Sequence, residues 1–446
     1  MSFLLPPTVQ TITTLQGAQD AFQRLRASAT VTTLFDSQPG IDGDPLRFQN
    51  AQSGGLITVN AANTFVELTV NSAVTNGYAV RQSYEYVPYQ PGKSKLFMAT
   101  GTLMTTIVNN TVARVGCFDT GPNLSLQSNG NGHYFELQVD GSGNVSMHLV
   151  ERLNGDTTTD INMPDWNYDA FGQGAKNPSG VTITPSDFIG NAFIFAMDQE
   201  WLAVGQVRMG FVFNGEFHYA HFLTHSGIPP GGTAMNQGAD TNGTGTISIP
   251  YTATAKLPVR WEIRTAAGES LASPATLYAI CASVQSEGGY IPTGLPFSTI
   301  SPVSSTTEAM IGIRLRPEYN NRRTLLLTGI EVAGDSGAGS LGSWLLLLFT
   351  PSDSELFPGA GWTDVDSTYS GAQVANNFAV TVSEGVVLAS GFIAGRASSS
   401  FNFDSYIASP RVNSTIDGLS RVLVLYNRDL PNQPAVYGSL SWLEIS

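Results

Sequence analysis

The chain has 446 residues, of which only 13% are charged and 46 are glycine, and its formal net charge is −14. That length exceeds one small core and suits two or three domains of ordinary size. The acidic balance, with no cluster of basic residues, argues against nucleic-acid binding, because phosphate neutralisation needs lysine and arginine on one face. The many Gly, Thr, Ser, Asn and Val residues are typical of short strands joined by turns, which predicts an all-β protein.

The few charged residues also bear on association. A typical soluble domain is about 25% charged, so much of this surface must be uncharged, which suits a surface covered by neighbouring copies. Of the 21 basic residues, 17 are arginine and four are lysine. Arginine is enriched and lysine depleted at protein interfaces, so composition favours assembly.

Residues 1–30 are predicted to form an N-terminal arm with one short helix. Leu15–Ala27 places apolar residues at helical spacing, and two prolines precede it. An isolated helix of this length is marginal in water, so it must dock. It docks either on another protein of an assembly or over one end of its own sandwich, and both alternatives stay open.

Residues 31–300 alternate strand patterns with turn signals and are predicted to form a large β-sandwich. Its clearest hairpin is Val207–Phe222, in which alternating residues flank Asn214-Gly215, a pair suited to a type I′ turn. The predicted register, from the turn outward, is Phe213 with Glu216, Val212 with Phe217, Phe211 with His218, Met209 with Ala220, and Arg208 with His221. Gly227–Ile247 is predicted to be an exposed insertion.

The proline-rich stretch Tyr290–Val303 separates this region from a second set of strand patterns. We therefore predict a C-terminal β-sandwich over residues 301–446. The expected fold is two β-sandwich domains of jelly-roll or lectin-like type with a short helical arm.

Cysteine content and hydropathy set the expected environment. Cys117 and Cys281 are too few for a disulfide framework and lie in apolar runs, which predicts buried free thiols. The longest apolar run, Trp344–Phe349, is far shorter than the roughly 20 residues of a membrane helix. No basic segment followed by a long apolar core opens the chain, so neither a signal peptide nor a membrane span is expected.

Three histidines, His218, His221 and His225, raise the question of a metal site. On the predicted strand the first two point to opposite faces, so a shared ion is disfavoured and no metal is expected. The glycine-rich pieces lie between strands and not before a helix, so no phosphate cradle and no cofactor are expected.

Carboxylates and aromatic residues provide two further candidates. The carboxylates that would permit a glycosidase pair are Asp119, Glu136, Asp165, Asp169, Glu216 and Glu262. Such a pair is defined by a gap that spacing cannot show, and solvated carboxylates are favoured. Trp166, Tyr168 and Phe171 lie in one polar segment and form either an aromatic platform for a glycan or another partner, or a loop plug over the sandwich, which is favoured.

Nine fragments carry a resemblance to a known family, and they are Phe35–Gln38, Gln82–Tyr86, Tyr89–Ser94, Arg114–Asp119, Phe135–Leu137, Val207–Phe211, Leu257–Ile263, Ser286–Gly289 and Ser441–Glu444. In this order and spacing they resemble virion structural proteins of tailed bacteriophages and some large DNA viruses, of capsid decoration or tail-associated type. Cys117, where the family has an aromatic residue, and the insertion Gly227–Ile247 depart from the pattern.

The resemblance implies a particle component located in the virion, and it offers no catalytic residues. With the composition, it predicts a non-enzymatic homo-oligomer, with a trimer as the expected state, that contacts the major capsid protein or tail proteins. It does not separate a capsid decoration or cement protein from a tail or tail-fibre component. The alternative is a carbohydrate-binding module that recognises host-surface glycans through Trp166, Tyr168 and Phe171. A glycoside hydrolase ranks last.

Overall fold

The computed structural model describes residues 31–121, 130–201, 205–225, 251–302, 308–319, 323–334, 341–351, 355–394, 396–403, 409–428 and 435–445. Strands dominate these ranges, and the helical elements are four 3₁₀ turns: Met163–Asp165, Pro185–Phe188, Pro317–Tyr319 and Val382–Glu384. None of the described helices has the length and apolar character needed to cross a membrane. The predicted helix Leu15–Ala27 and the insertion Gly227–Ile247 lie outside the described residues.

The first 15 strands are β1 (Thr32–Ser37), β2 (Phe48–Ser53), β3 (Gly55–Asn60), β4 (Phe65–Val70), β5 (Tyr78–Val87), β6 (Ser94–Thr102), β7 (Thr111–Phe118), β8 (Gly132–Val139), β9 (Val145–Leu153), β10 (Asp156–Asn162), β11 (Phe193–Gln199), β12 (Gln206–Phe213), β13 (Glu216–Thr224), β14 (Leu257–Thr265) and β15 (Ala275–Glu287). They form an eight-stranded sheet in the order β13-β12-β11-β6-β15-β4-β3, with β1 also on β15, and a seven-stranded sheet in the order β10-β9-β8-β7-β14-β5-β2. We call this pair the N-terminal sandwich.

Side chains of both sheets share one core. In strand β14, successive side chains point to opposite faces of the sheet. Val259, Trp261 and Ile263 point into the core, where each is at most 1% exposed. The core of this sandwich is rich in aromatic residues, with the rings of Phe135 and Phe211 meeting edge to face at 5.0 Å between centroids. Large ring areas removed from water stabilise the packing of the two sheets.

The hairpin of β12 and β13 follows the predicted register near the turn and departs from it farther out. Phe213, Val212 and Phe211 face their predicted partners. A β-bulge then follows, so Met209 faces His221 and Arg208 faces Phe222, and the two outer predicted pairs are wrong. The extra residue on β13 shifts every later pair by one position.

The remaining strands are β16 (Leu295–Ile300), β17 (Glu308–Leu315), β18 (Thr324–Gly334), β19 (Leu341–Phe349), β20 (Thr363–Asp364), β21 (Ala372–Phe378), β22 (Val386–Ala394), β23 (Ser398–Asn402), β24 (Arg411–Val412), β25 (Val422–Arg428) and β26 (Val436–Ile445). They form a five-stranded sheet, β16-β26-β18-β23 with β24 on β18, and a six-stranded sheet, β20-β21-β17-β25-β19-β22. Residues of both sheets pack into a second core around Leu346, Leu425 and Trp442. We call this pair the C-terminal sandwich.

The strand pairs of these four sheets are antiparallel throughout the described residues, and the prediction of an all-β protein is confirmed. Strand β15 is the last strand of the N-terminal sandwich and β16 the first of the other, so the predicted boundary at residues 300 and 301 falls just after β16. That each sandwich is an independent domain stays a prediction.

The two sandwiches contact each other through polar groups. The ammonium group of Lys256 donates to the carbonyl oxygen of Ile445 at 2.9 Å. The side-chain oxygen of Gln49 accepts a hydrogen bond from the backbone nitrogen of Ile416 at 2.7 Å. A cavity opens along this contact.

Candidate functional site

The predicted aromatic segment packs onto the N-terminal sandwich. Trp166 is 2% exposed and Phe171 is fully buried. The indole of Trp166 stacks on Phe211 with 6.0 Å between centroids, and its Nε1 donates to the carbonyl oxygen of Ile161. Tyr168 is half-buried and stacks on Phe222 at 4.9 Å.

Backbone contacts hold this segment down. The nitrogens of Tyr168 and Asp169 both donate to the carbonyl oxygen of Ala220 on β13. The buried carboxylate of Asp169 accepts from the backbone nitrogens of Phe171 and Ser179 at 2.8 and 3.1 Å. The three rings therefore do not form a solvent-facing platform, because two of them are inside the core, as in the favoured plug, and only Tyr168 reaches solvent.

The bulge in β13 also changes the placement of the histidines. His218 lies opposite Phe211 and His221 opposite Met209, and directly opposed residues share a face, so the expectation that these histidines point to opposite faces is wrong. His221 is fully buried, and its Nδ1 accepts from the backbone nitrogen of Asn167 at 3.0 Å. Among the described residues, no group of three or more His, Cys, Asp or Glu side chains is arranged to hold a metal ion.

Two of the predicted carboxylates meet on the outer face of the seven-stranded sheet. Arg114 pairs with Glu136, and its Nη1 lies 3.0 Å from Glu262. Arg260 and Arg264, which flank Glu262 on β14, pair with it as well. Burial alone would raise the pKa of Glu262, but the three guanidinium groups lower it to about 2. A carboxylate held ionised in this way cannot act as a proton donor at neutral pH.

The other predicted carboxylates lie apart from this group. Burial raises the pKa of Asp119 to about 6, and its Oδ1 accepts from the backbone nitrogen of Asn131. Asp165 and Glu216 are exposed. The described part of the chain therefore brings Glu136 and Glu262 together, but through a shared arginine and not across an open cleft.

A buried cluster around Glu151 has no counterpart in the sequence analysis. Its Oε2 lies 3.0 Å from Nε2 of His133, directly across the sheet on β8, and 2.7 Å from Nε2 of His225. The ring of His225 stacks on Tyr251 at 3.8 Å. Burial would raise the pKa of Glu151, yet the two imidazoles lower it to about 2. Sequence separation of these four residues left no local signal for the cluster.

Both cysteines are free thiols, as predicted, but they differ in exposure. Cys117 is fully buried, and burial raises its pKa to about 12, whereas Cys281 is half-buried. A protonated thiol inside a core is not nucleophilic.

One edge of the C-terminal sandwich is poorly protected within the described residues. Strand β22 ends the six-stranded sheet and pairs only with β19, and β23 ends the five-stranded sheet and pairs only with β18, within the ranges that the structure describes. Arg396 is the only charged residue between Val386 and Asn402. We call these two strands the open edge.

Large apolar side chains stand out from the open edge into solvent. Val387 is 50% exposed, Phe392 is 68% exposed and Phe401 is 47% exposed. Edge strands normally carry lysine, proline or inward-pointing charges, because unpaired backbone groups invite pairing with another chain. Strand β22 has nine residues and none of these features. Its run of uncharged residues was visible in the sequence, but its edge position was not.

Part of the positive charge of the chain is buried inside the fold. Within the described ranges nine basic residues are buried, and they are Arg81, Lys95, Arg152, Arg208, Lys256, Arg260, Arg264, Arg314 and Arg421. With 21 basic residues in the whole chain, close to half of the positive charge does not cover the surface.

No family model matches the chain, and no curated protein matches it. The solved structures that match the chain include Bacillus licheniformis β-glucanase, at 10% identity over 56% of this chain and 96% of that one, with a TM-score of 0.32. A carbohydrate esterase of the Shiga toxin-encoding bacteriophage phi24B matches at 11% identity over 57% and 98%, with a TM-score of 0.32. Peanut lectin matches at 13% identity over 58% and 98%, with a TM-score of 0.31. Likenesses of this size carry no functional argument.

Proposed function

We propose that this chain is a non-enzymatic structural component of a virion that works as a homo-oligomer, with a trimer as the expected state, and that copies associate through the open edge. The observation that carries the proposal is the nine-residue strand β22, which is apolar, uncharged and unpaired on its outer side within the described residues.

An exposed edge of this kind is a liability for a monomer. It presents a row of free backbone donors and acceptors together with side chains such as Phe392, which is 68% exposed. A second copy that covers the edge removes apolar area from water at about 25 cal/mol per Å² and satisfies the backbone groups. Self-association is therefore the simplest use of this surface.

The virion part of the proposal rests on the nine fragments given above. The partners would be further copies of the chain and a capsid or tail protein. The non-enzymatic part is supported by Glu262, whose carboxylate is ion-paired with three arginines. Recognition of glycans by Trp166, Tyr168 and Phe171 is not proposed, because Trp166 and Phe171 are buried.

Sedimentation velocity of the full chain and of a charged edge variant tests the proposal. Val387→Lys places a charge on the open edge, and Ile107→Lys is the matched control, since Val387 is 50% exposed and Ile107 is 49% exposed. We expect the wild type and Ile107→Lys to sediment as the same oligomer and Val387→Lys to shift toward monomer. A wild type that stays monomeric at high concentration would overturn the oligomer, and an unchanged Val387→Lys oligomer would overturn the assignment of the edge.

A further inference from the structure

A cavity of about 250 Å³ lies between the two sandwiches. From the N-terminal side it is lined by Leu34, Leu46 and the ring of Tyr84, and from the C-terminal side by Leu388 and Arg421, among others. Its walls combine apolar side chains with polar and charged groups. A boundary between two packed units is a common location for ligand pockets.

Arg421 places a buried positive charge in the wall of this cavity. It is 4% exposed and lines the cavity. Its Nε donates to the hydroxyl of Thr350 at 3.0 Å, and its guanidinium lies over the ring of Tyr84 at 4.1 Å from the centroid. In the described part of the chain, no carboxylate pairs with Arg421.

Several other buried arginines have carboxylate partners, whereas Arg81, which is 2% exposed, forms no ion pair among the described residues and donates to the carbonyl oxygen of Gly43. Arg208 pairs with Asp198, and Arg260 with Glu262. Arg314 is the nearest match to Arg421, since it is also buried in the C-terminal sandwich and lies over an aromatic ring, but it pairs with Glu355. A buried guanidinium without a counter-charge costs several kcal/mol of desolvation, which an anion in contact with it would offset.

The carboxylates that line the cavity are already engaged. Glu85 pairs with Arg411, and Asp36 lies 2.6 Å from Nη1 of Arg47. Three arginines and two carboxylates therefore leave one net positive charge in the cavity, and that charge is on Arg421. Burial lowers the pKa of Arg421 to about 10, so it is still charged at neutral pH.

We propose that this cavity binds a small organic carboxylate, with Arg421 holding the carboxylate and the leucine side chains holding an apolar body. A guanidinium presents paired N–H donors that match a carboxylate. A cavity of roughly 150 Å³ accommodates benzene, so about 250 Å³ has room for a ring with one carboxylate.

Calorimetric titration of the full chain with matched anions and amides tests the site. Benzoate and hexanoate carry the charge, while benzamide and hexanamide have nearly the same shape without it. Inorganic phosphate and sulfate form a third arm, which separates recognition of any oxyanion from recognition of an organic acid. Arg421→Gln is the test variant and Arg314→Gln the matched control, with circular dichroism of both as the check on folding.

We expect benzoate or hexanoate to bind the wild type and Arg314→Gln with equal affinity. Their affinity for Arg421→Gln should be at least tenfold lower. The amides should bind the wild type at least tenfold more weakly than the corresponding acids. Equal binding of acid and amide to the wild type would overturn the proposal even if Arg421→Gln does not fold. Binding of phosphate or sulfate alone, or of none of these probes, would overturn it as well.

Discussion

Replacing Glu262 with glutamine removes the one negative charge that three arginines share, two of which are buried. Arg114, Arg260 and Arg264 all pair with this carboxylate, which is fully buried. Glutamine keeps the shape but leaves the guanidinium groups with less counter-charge. Because a buried charge without its partner keeps its desolvation penalty, we expect the N-terminal sandwich to lose stability.

The magnitude follows from the pKa of Glu262, which falls from 4.5 to about 2 on folding. At about 1.4 kcal/mol for each tenfold change, the ionised group contributes about 3 kcal/mol at pH 7. Since the folded pKa is depressed, this contribution is complete above pH 4.5 and is lost as the pH falls toward 2. At pH 3 only about 1 kcal/mol remains.

Equilibrium unfolding in urea at pH 7 and pH 3 measures this effect, and urea is preferred to a guanidinium salt because salt screens charges. We expect Glu262→Gln to lower the free energy of unfolding by about 3 kcal/mol at pH 7 and about 1 kcal/mol at pH 3. Glu318→Gln is the control, because Glu318 pairs with Arg316 at the surface and is 53% exposed. If Glu262→Gln matches Glu318→Gln at pH 7, or loses the same amount at both pH values, the reasoning is refuted.

Three further variants or probes test other parts of the structure. Trp166→Ala should lower the free energy of unfolding by about 3–5 kcal/mol in urea titrations, because it empties a buried site against Phe211; a loss no larger than that of Tyr168→Ala would contradict the plug. Cys117 should resist iodoacetamide in the native chain and react in urea, because it is fully buried and its pKa is about 12; native-state labelling seen by mass spectrometry would refute this. Gly116→Ala should lower the free energy of unfolding, measured by thermal melting, by about 1–3 kcal/mol or more, because a Cβ there would lie 2.3 Å from the carbonyl oxygen of His133. Gly359→Ala should not lower it, because the space around Gly359 is open.

Local sequence patterns predicted the strands well, because strand formation depends on residues that are close in sequence. The turn at Asn214-Gly215 set three cross-strand pairs of β12 and β13 correctly. The bulge that follows left no mark in the residues of the hairpin itself. At the bulge, the nitrogens of Tyr168 and Asp169 bind Ala220, and these contacts come from a distant segment.

The buried ionic groups could not be predicted from the sequence, for a different reason. Alternation along β14 indicates that Arg260 and Glu262 lie opposite the core face. Alternation normally places such residues in water, yet both are fully buried, and the guanidinium of Arg260 lies over the ring of Phe118. Glu151 and His225 are likewise far apart in sequence, and only the folded chain brings them to 2.7 Å.

The proposed site residues show the same limit. For Trp166 and Phe171 the sequence favoured a plug but left the platform open, because a sequence shows spacing and not depth. Val387 and Phe392 read as an ordinary strand, and only the order of strands in the sheet makes that strand an edge. Arg421 carried no signal at all, since its lack of a carboxylate partner is a property of the cavity between two sandwiches.

Immunogold electron microscopy, with an antibody to this chain, on particles purified from the source material tests the central claim most directly. The account predicts label at regular positions on intact particles, either over the capsid, as for a decoration or cement protein, or on the tail. Particles that carry no label, while the same antibody detects the chain elsewhere in the sample, would contradict a structural role in the virion.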